Sequence, residues 1–151
     1  MTYTTRALTP ADAPAAAALH ALGFADPWSE ASFAAQFADP AALTLGHLED
    51  GAVIAFALFR DIAGEADLLT VATHPARRSQ GLARALLIAL TQTLAARGTA
   101  RLTLDVAEDN AAARHLYASL GFTEDGRRKG YYTAGRAVPV DAVLMSKSLQ
   151  G

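Results

Sequence analysis

Val71-Ala72-Thr73-His74-Pro75-Ala76-Arg77-Arg78-Ser79-Gln80-Gly81-Leu82-Ala83-Arg84-Ala85-Leu86-Leu87 reads as a strand, a tight turn rich in arginine and glycine, and then an amphipathic helix. A turn of this kind points several backbone N–H groups at one place, at the positive end of a helix dipole, and so makes a seat for phosphate. Its core, Arg78-Ser79-Gln80-Gly81-Leu82-Ala83, has the form Arg/Gln-x-x-Gly-x-Gly/Ala. That is neither the Gly-x-Gly-x-x-Gly of dinucleotide-binding folds nor the P-loop, which ends in Gly-Lys-Ser/Thr. Alone, the stretch also suits a plain strand-to-helix connection with a glycine for close packing. The rest of the chain has to decide.

Downstream of the turn, Leu82, Leu86, Leu87, Leu90 and Leu94 mark one helix face, and Gly98 ends that helix. Upstream, Glu65 to Thr73 reads as a strand. Leu43 to Glu49 and Ala52 to Arg60 read as two more, joined by the two-residue hairpin signal Asp50-Gly51. Tyr3 to Leu8 is a first strand. Thr9-Pro10-Ala11-Asp12 starts a helix that runs to about Leu22, and Pro27-Trp28-Ser29-Glu30 starts a second one, with Ser29 as its cap. Beyond Gly98, Arg101 to Val106 alternates, with Leu102, Leu104 and Val106 on one side. Asn110 caps a helix whose Ala113, Leu116, Tyr117 and Leu120 share a face, and Gly121 stops it. Phe122 to Tyr132 and Val138 to Ser148 are the last two strands. The order is β-α-α-β-β-β-α-β-α-β-β, an α/β chain with a mixed sheet and helices on both faces.

At 151 residues the expected organisation is one domain, residues 1–151, large enough to bury a real core. A hydrophobic fraction of 52% argues against disorder, although much of it is alanine, which builds little core volume. The net charge of -2 gives no global argument for nucleic-acid binding. The absence of cysteine excludes disulfides, thiolate zinc sites and a covalent cysteine intermediate. No secretory signal or spanning segment is legible, so no membrane partner is expected and the expected location is cytoplasmic. His20, His47, His74 and His115 show no paired ligand spacing, and no metal is expected.

A second motif settles the first. Asn110-x-x-Ala113-x-x-Leu116-Tyr117-x-x-x-Gly121-Phe122 follows the Arg78 to Ala83 turn. In that order and at that distance, the two motifs resemble the pyrophosphate loop and the second signature of the GNAT superfamily of acetyl-CoA-dependent acyltransferases. Pro27-Trp28-Ser29-Glu30-x-x-Phe33, together with Arg128-x-x-Tyr131-Tyr132, is similar to the ribosomal-protein alanine N-acetyltransferase branch. The resemblance covers nearly the whole chain, from Leu8 to the last strand.

The resemblance implies a GNAT-type, mostly antiparallel sheet of about seven strands, with strands four and five splayed and pantetheine between them. It implies acetyl transfer from acetyl-CoA to an amine, most simply the N-terminal alanine of a ribosomal protein. A lysine side chain, an amino acid, a polyamine, a drug, or a CoA-binding module without catalysis remain the alternatives. Pyrophosphate would sit on N–H groups of Ser79, Gln80, Gly81, Leu82 and Ala83, with Arg78 and Arg84 adding charge. Backbone of Val71 and Thr73 would hold the pantetheine and the thioester oxygen. Asn110 caps its helix and contacts CoA, and Tyr117 protonates the departing thiolate. The branch carries a glutamate base on the fifth strand, where this chain has Asp105. A shorter carboxylate there reads either as a base working through water or as a positioning group, with Glu65 as the alternative carboxylate. Trp28, Tyr131 and Tyr132 would line the acceptor groove.

Overall fold

The computed structural model describes residues 3–150. Its strands are β1 (Tyr3–Arg6), β2 (Ala42–Glu49), β3 (Ala52–Ile62), β4 (Glu65–Thr73), β5 (Arg101–Ala107), β6 (Thr123–Tyr132) and β7 (Val140–Ser148). They form one seven-stranded sheet in the order β1-β2-β3-β4-β5-β7-β6. Every neighbouring pair is antiparallel except β4–β5. A parallel pair needs a crossover, and α3 (Leu82–Ala96) supplies it. The other helices are α1 (Ala13–Ala21), α2 (Glu30–Ala38) and α4 (Ala111–Ser119).

The expected element order is found, with shifted ends. Pro10–Asp12 is a 3-10 turn, and the α-helix starts only at Ala13. Pro14 has no N–H to give to Pro10, so the Ala13 N–H closes the first turn on the Pro10 carbonyl instead. Thr9 and Asp12 form the capping box that the sequence signals. The strand expected to reach Leu8 stops at Arg6, and the Leu8 N–H is taken by the Thr44 hydroxyl (2.8 Å). β3 runs on to Ile62, where Ala63 and Gly64, both at positive φ, make a second two-residue turn into β4.

Two apolar clusters sandwich the sheet. α3 and α4 cover one face with Leu86, Leu87, Leu90, Leu94 and Tyr117, which pack on Ala57, Phe59, Leu102, Leu104 and Val143. α1 and α2 cover the other with Ala16, Leu19, Phe33 and Phe37 on Phe56 and Leu58. That second cluster takes no residue from β5, β6 or β7, so α1 and α2 cover only the β2–β4 half of this face.

Two irregularities in β4 position the site. Its register against β3 shifts between Leu58 and Phe59, placing an extra residue at Leu69. A bulge exchanges the two faces of a strand. Ala66 and Leu68 therefore pack under α3, while Ala72 packs under α1 and Thr70 bonds His20 of that helix. The second irregularity is the β4–β5 ladder, which holds only at Glu65↔Arg101, Ala66↔Leu102 and Asp67↔Thr103. Beyond that rung the strands part, leaving the β5-facing edge of Leu68–Thr73 open.

Candidate active site

The turn after β4 is built from backbone. Pro75–Arg77 is one 3-10 turn, started by the His74 Nδ1, which accepts from the Ala76 N–H (3.1 Å). Ser79 (φ 64) and Gly81 (φ 77) then adopt left-handed backbone around an ordinary Gln80. Alternating backbone of this kind gathers N–H groups into a concavity suited to an anion. α3 begins at Leu82 with neither a side-chain cap nor an acidic residue in its first turn. Its first intrahelical bond is Ala85 N–H to the Gly81 carbonyl (3.0 Å), so the N–H groups before it face outward. Nothing lies within 4 Å of where a Gly81 Cβ would stand. A missing cap costs about 1 kcal/mol. The buried Leu86, Leu87, Leu90 and Leu94 contribute roughly 1.5–3 kcal/mol apiece, so core packing holds this helix end in place uncapped. Arg77 ties the turn to β2 by pairing with Glu49.

Of the two arginines expected to add charge, Arg84 has a hydrogen-bond partner within the protein and Arg78 is exposed. Arg84 Nη1 donates to Ser119 Oγ of α4 (2.6 Å). The Arg78 guanidinium lies against Gly23, where an added Cβ would come within 3.1 Å of its Nη2. Arg78 thus bridges the turn and the α1–α2 connection.

Tyr117 hangs from the middle of α4, buried at 6% exposure and edge-on to Phe122. Burial, and after it the nearby Tyr132, push its phenol up to about 12, so it stays protonated at neutral pH. Asn110 caps α4 by accepting from the Ala113 N–H (3.2 Å). α4 packs on the same sheet face as α3, and the parted strands connect Tyr117 to the other face.

On that other face β5 and β6 bring Asp105, Arg128, Tyr131 and Tyr132 close together. Asp105 is exposed there, opposite Leu144 of β7. Asp67 occupies the last rung before the strands part, and its Oδ1 accepts from Thr103 Oγ1 (2.9 Å). Neighbouring strands strip water from Asp67 and push its carboxyl above the usual range; the Asp105 charge adds to this, against the Thr103 bond and Arg128. β6 slips register between Arg128 and Tyr132, with the Gly130 N–H held by Asp141 Oδ1 (3.0 Å). The slip sets Tyr131 and Tyr132 edge-to-face, 5.2 Å apart. Tyr131 is exposed under the Arg128 guanidinium. Tyr132 is half-buried, its phenol raised first by burial and then by Asp105. Trp28 packs on His20 and Phe33, and its backbone N–H donates to Nδ1 of the buried His20, whose Nε2–H therefore donates to Thr70 Oγ1 (3.1 Å).

Asp67, Asp105, Arg128, Tyr131 and Tyr132 thus form one cluster, and Tyr117 lies near enough to Tyr132 to be influenced by it. Glu65 does not join them. It lies at the closed end of β4, exposed and paired with Arg101, which also holds Asp125. Asp67 occupies the place that Glu65 was expected to hold. Sequence reading missed it because the carboxylate that reaches the opening depends on where the β4–β5 ladder ends. Arg128, which the sequence offers only as part of the Arg128-x-x-Tyr131-Tyr132 motif, stands over the Tyr131 ring and near Asp67. His20 was left as an unassigned histidine; its spacing from Ala13 and Ala16 puts it on the buried face of α1.

Residues 12–122 match the model of the Acetyltransferase (GNAT) family. The chain is 40% identical over 145 residues to the [Ribosomal protein bS18]-alanine N-acetyltransferase of Escherichia coli (strain K12), covering 95% of each. The crystal structure of the ribosomal-protein-S18-alanine N-acetyltransferase from Escherichia coli superposes with a TM-score of 0.93 at 37% identity, over 99% of this chain and 96% of that one. The structure of yncA from Salmonella typhimurium with its cofactor acetyl-CoA superposes with a TM-score of 0.81 at 26% identity, over 99% and 95% of the two chains.

Proposed function

This chain belongs to the GNAT acetyltransferase family, and we propose that it transfers the acetyl group of acetyl-CoA to the N-terminal alanine of a ribosomal protein. The proposal has residues 1–151 act as one domain in the cytoplasm, where ribosomal proteins are made. The observation that carries it is the open β4 edge beyond Asp67 leading into the uncapped α3 turn, with Asp67, Asp105 and Tyr132 clustered where the opening begins. The cleft fits the cofactor: Gly81 leaves open space in front of outward N–H groups, and β4 offers an unpaired edge as long as Leu68–Thr73.

Acetyl-CoA, when bound, supplies an activated thioester. The turn from Ser79 to Ala83 holds its pyrophosphate, and N–H groups at Val71 and Thr73 bind the pantetheine and stabilise negative charge on the thioester oxygen. Asp105 takes a proton from the acceptor ammonium, directly or through water, and the freed amine forms the new C–N bond. Tyr117 gives its proton to sulfur as the C–S bond breaks, and the second proton that the nitrogen sheds as the amide forms passes to solvent, which reprotonates the tyrosine. Asp67 adds negative charge beside Asp105, and Trp28, Tyr131 and Tyr132 bound the acceptor chain. An α-amine titrates near 7.8 and a lysine near 10.4, so at neutral pH the α-amine is neutral about 400 times more often. A carboxylate of modest basicity is enough for the first acceptor and poorly matched to the second.

The test is a pair of peptides with the same sequence. One has a free N-terminal alanine; the other is blocked at its N-terminus and carries an internal lysine. Acetylation of the first and not the second is the expected result. Equal or better use of the lysine peptide removes the N-terminal assignment.

A further inference from the structure

We propose that Arg136 is a positioning residue for the acceptor, acting through Tyr132 and Asp109 to fix one wall of the groove relative to the helix that carries Tyr117. The inference rests on the reading that the acceptor lies against Tyr132. Arg136 stands in the β6–β7 connection. There the Arg136 N–H closes a turn on the Thr133 carbonyl (3.1 Å) with Gly135 at positive φ (70°). From that turn the guanidinium reaches three places. Its Nε and Nη2 form a two-pronged pair with the Asp109 carboxylate, both at 2.9 Å. Its Nη1 donates to the Ala134 carbonyl (3.2 Å). Its Cζ stands 5.7 Å from the centre of the Tyr132 ring.

Each contact joins parts that the proposed chemistry needs in register. Asp109 immediately precedes Asn110, the residue that caps α4, so the pair anchors the connection to the start of the helix bearing Tyr117. Tyr132 is a groove wall. The same connection presses on the far wall: a Cβ added at Gly135 would lie 2.8 Å from Ala25 Cβ in the α1–α2 connection that leads to Trp28. An exposed ion pair is ordinarily worth little. This one is bidentate and stacked, and a planar fork fixes direction as well as distance, which a lysine cannot do.

The measurement is steady-state kinetics with the peptide bearing a free N-terminal alanine, for the wild type, Arg136→Ala, Arg136→Lys, the single reversals Arg136→Asp and Asp109→Arg, and the reversed pair that combines them. Arg136→Ala is expected to raise the peptide KM on the order of tenfold, with a much smaller change in kcat and none in the KM for acetyl-CoA. Arg136→Lys should fail to rescue, and the reversed pair should recover most of the peptide KM that either single reversal loses. A wild type that does not acetylate the peptide overturns the acceptor reading together with this one. In an active enzyme, an unchanged peptide KM in Arg136→Ala overturns this proposal alone, as does an equal rise in both KM values, which is the mark of general loosening.

Discussion

Tyr117 hangs from α4 on one face of the sheet, Asp105 is exposed on the other, and between them β4 and β5 part after Asp67. The raised phenol keeps its proton until negative charge grows beside it, so its contribution belongs to bond breaking and not to ground-state binding. Tyr117→Phe is expected to lower kcat by about one to three orders of magnitude, while the acetyl-CoA dissociation constant measured by calorimetry stays within about twofold. Full activity in that variant would leave water as the donor. Asp67 bears on the same chemistry from the other side. Its carboxyl is raised in the folded chain, so ionising it opposes folding above its unfolded value and costs nothing below it. Asp67→Asn should therefore be slightly more stable at neutral pH, with the gain vanishing as pH falls below about 4. Acetyl transfer should drop in the same variant. A variant both less stable and fully active would assign Asp67 to the fold alone.

Among the elements, the turn from Arg78 to Gly81 carries the most function in the fewest residues. Two left-handed positions, Ser79 and Gly81, aim its N–H groups outward, and the buried leucine stripe of α3 keeps it there. Gly81 has open space around it, so a larger residue fails through backbone conformation and through obstruction of the phosphate seat, not through a clash with the protein. A ligand that binds only the folded state stabilises it by about 2.7 kcal/mol at 100 times its dissociation constant. Acetyl-CoA at that excess should raise the melting temperature of the wild type by several degrees and that of Gly81→Val hardly at all. An undiminished shift in Gly81→Val would put the phosphates elsewhere. The bulge at Leu69 has a comparable role in β4, since it turns Thr70 and Ala72 toward α1 and frees the strand edge that the proposed chemistry uses.

At the scale of the whole molecule, His20 joins α1, the Trp28 connection and β4 through two ring nitrogens and a stack on Phe24 (3.8 Å). Burial lowers its value from 6.5 to about 4, so the native protein refuses a proton that the unfolded chain accepts. Above pH 6.5 this contributes nothing to the pH dependence. Between 6.5 and about 4 stability falls as pH falls, by up to about 3 kcal/mol. Urea unfolding of His20→Gln should start from a lower stability at neutral pH and show a flatter acid limb across that window. An acid limb of the wild-type slope would mean that other groups set it.

Much of this molecule was legible in the chain. Element order, the hairpin at Asp50-Gly51, the caps at Ser29 and Asn110 and the leucine stripe of α3 are local, because each is set by residues within a turn or two of one another. The strand-turn-helix form of the Arg78 to Ala83 segment and the place of Tyr117 on the apolar face of α4 were legible for the same reason, since backbone conformation and helical spacing are written in neighbouring residues. What the tertiary structure decided is nonlocal. The end of the β4–β5 ladder chose Asp67 over Glu65, and the bulges in β4 and β6 chose which side chains turn toward the groove. Contacts between residues far apart in the chain joined His20 to Thr70 and Arg136 to Asp109. Strand side chains alternate with period two, so a slip of one residue exchanges the faces, and nothing in the local sequence records which register the packed sheet selects.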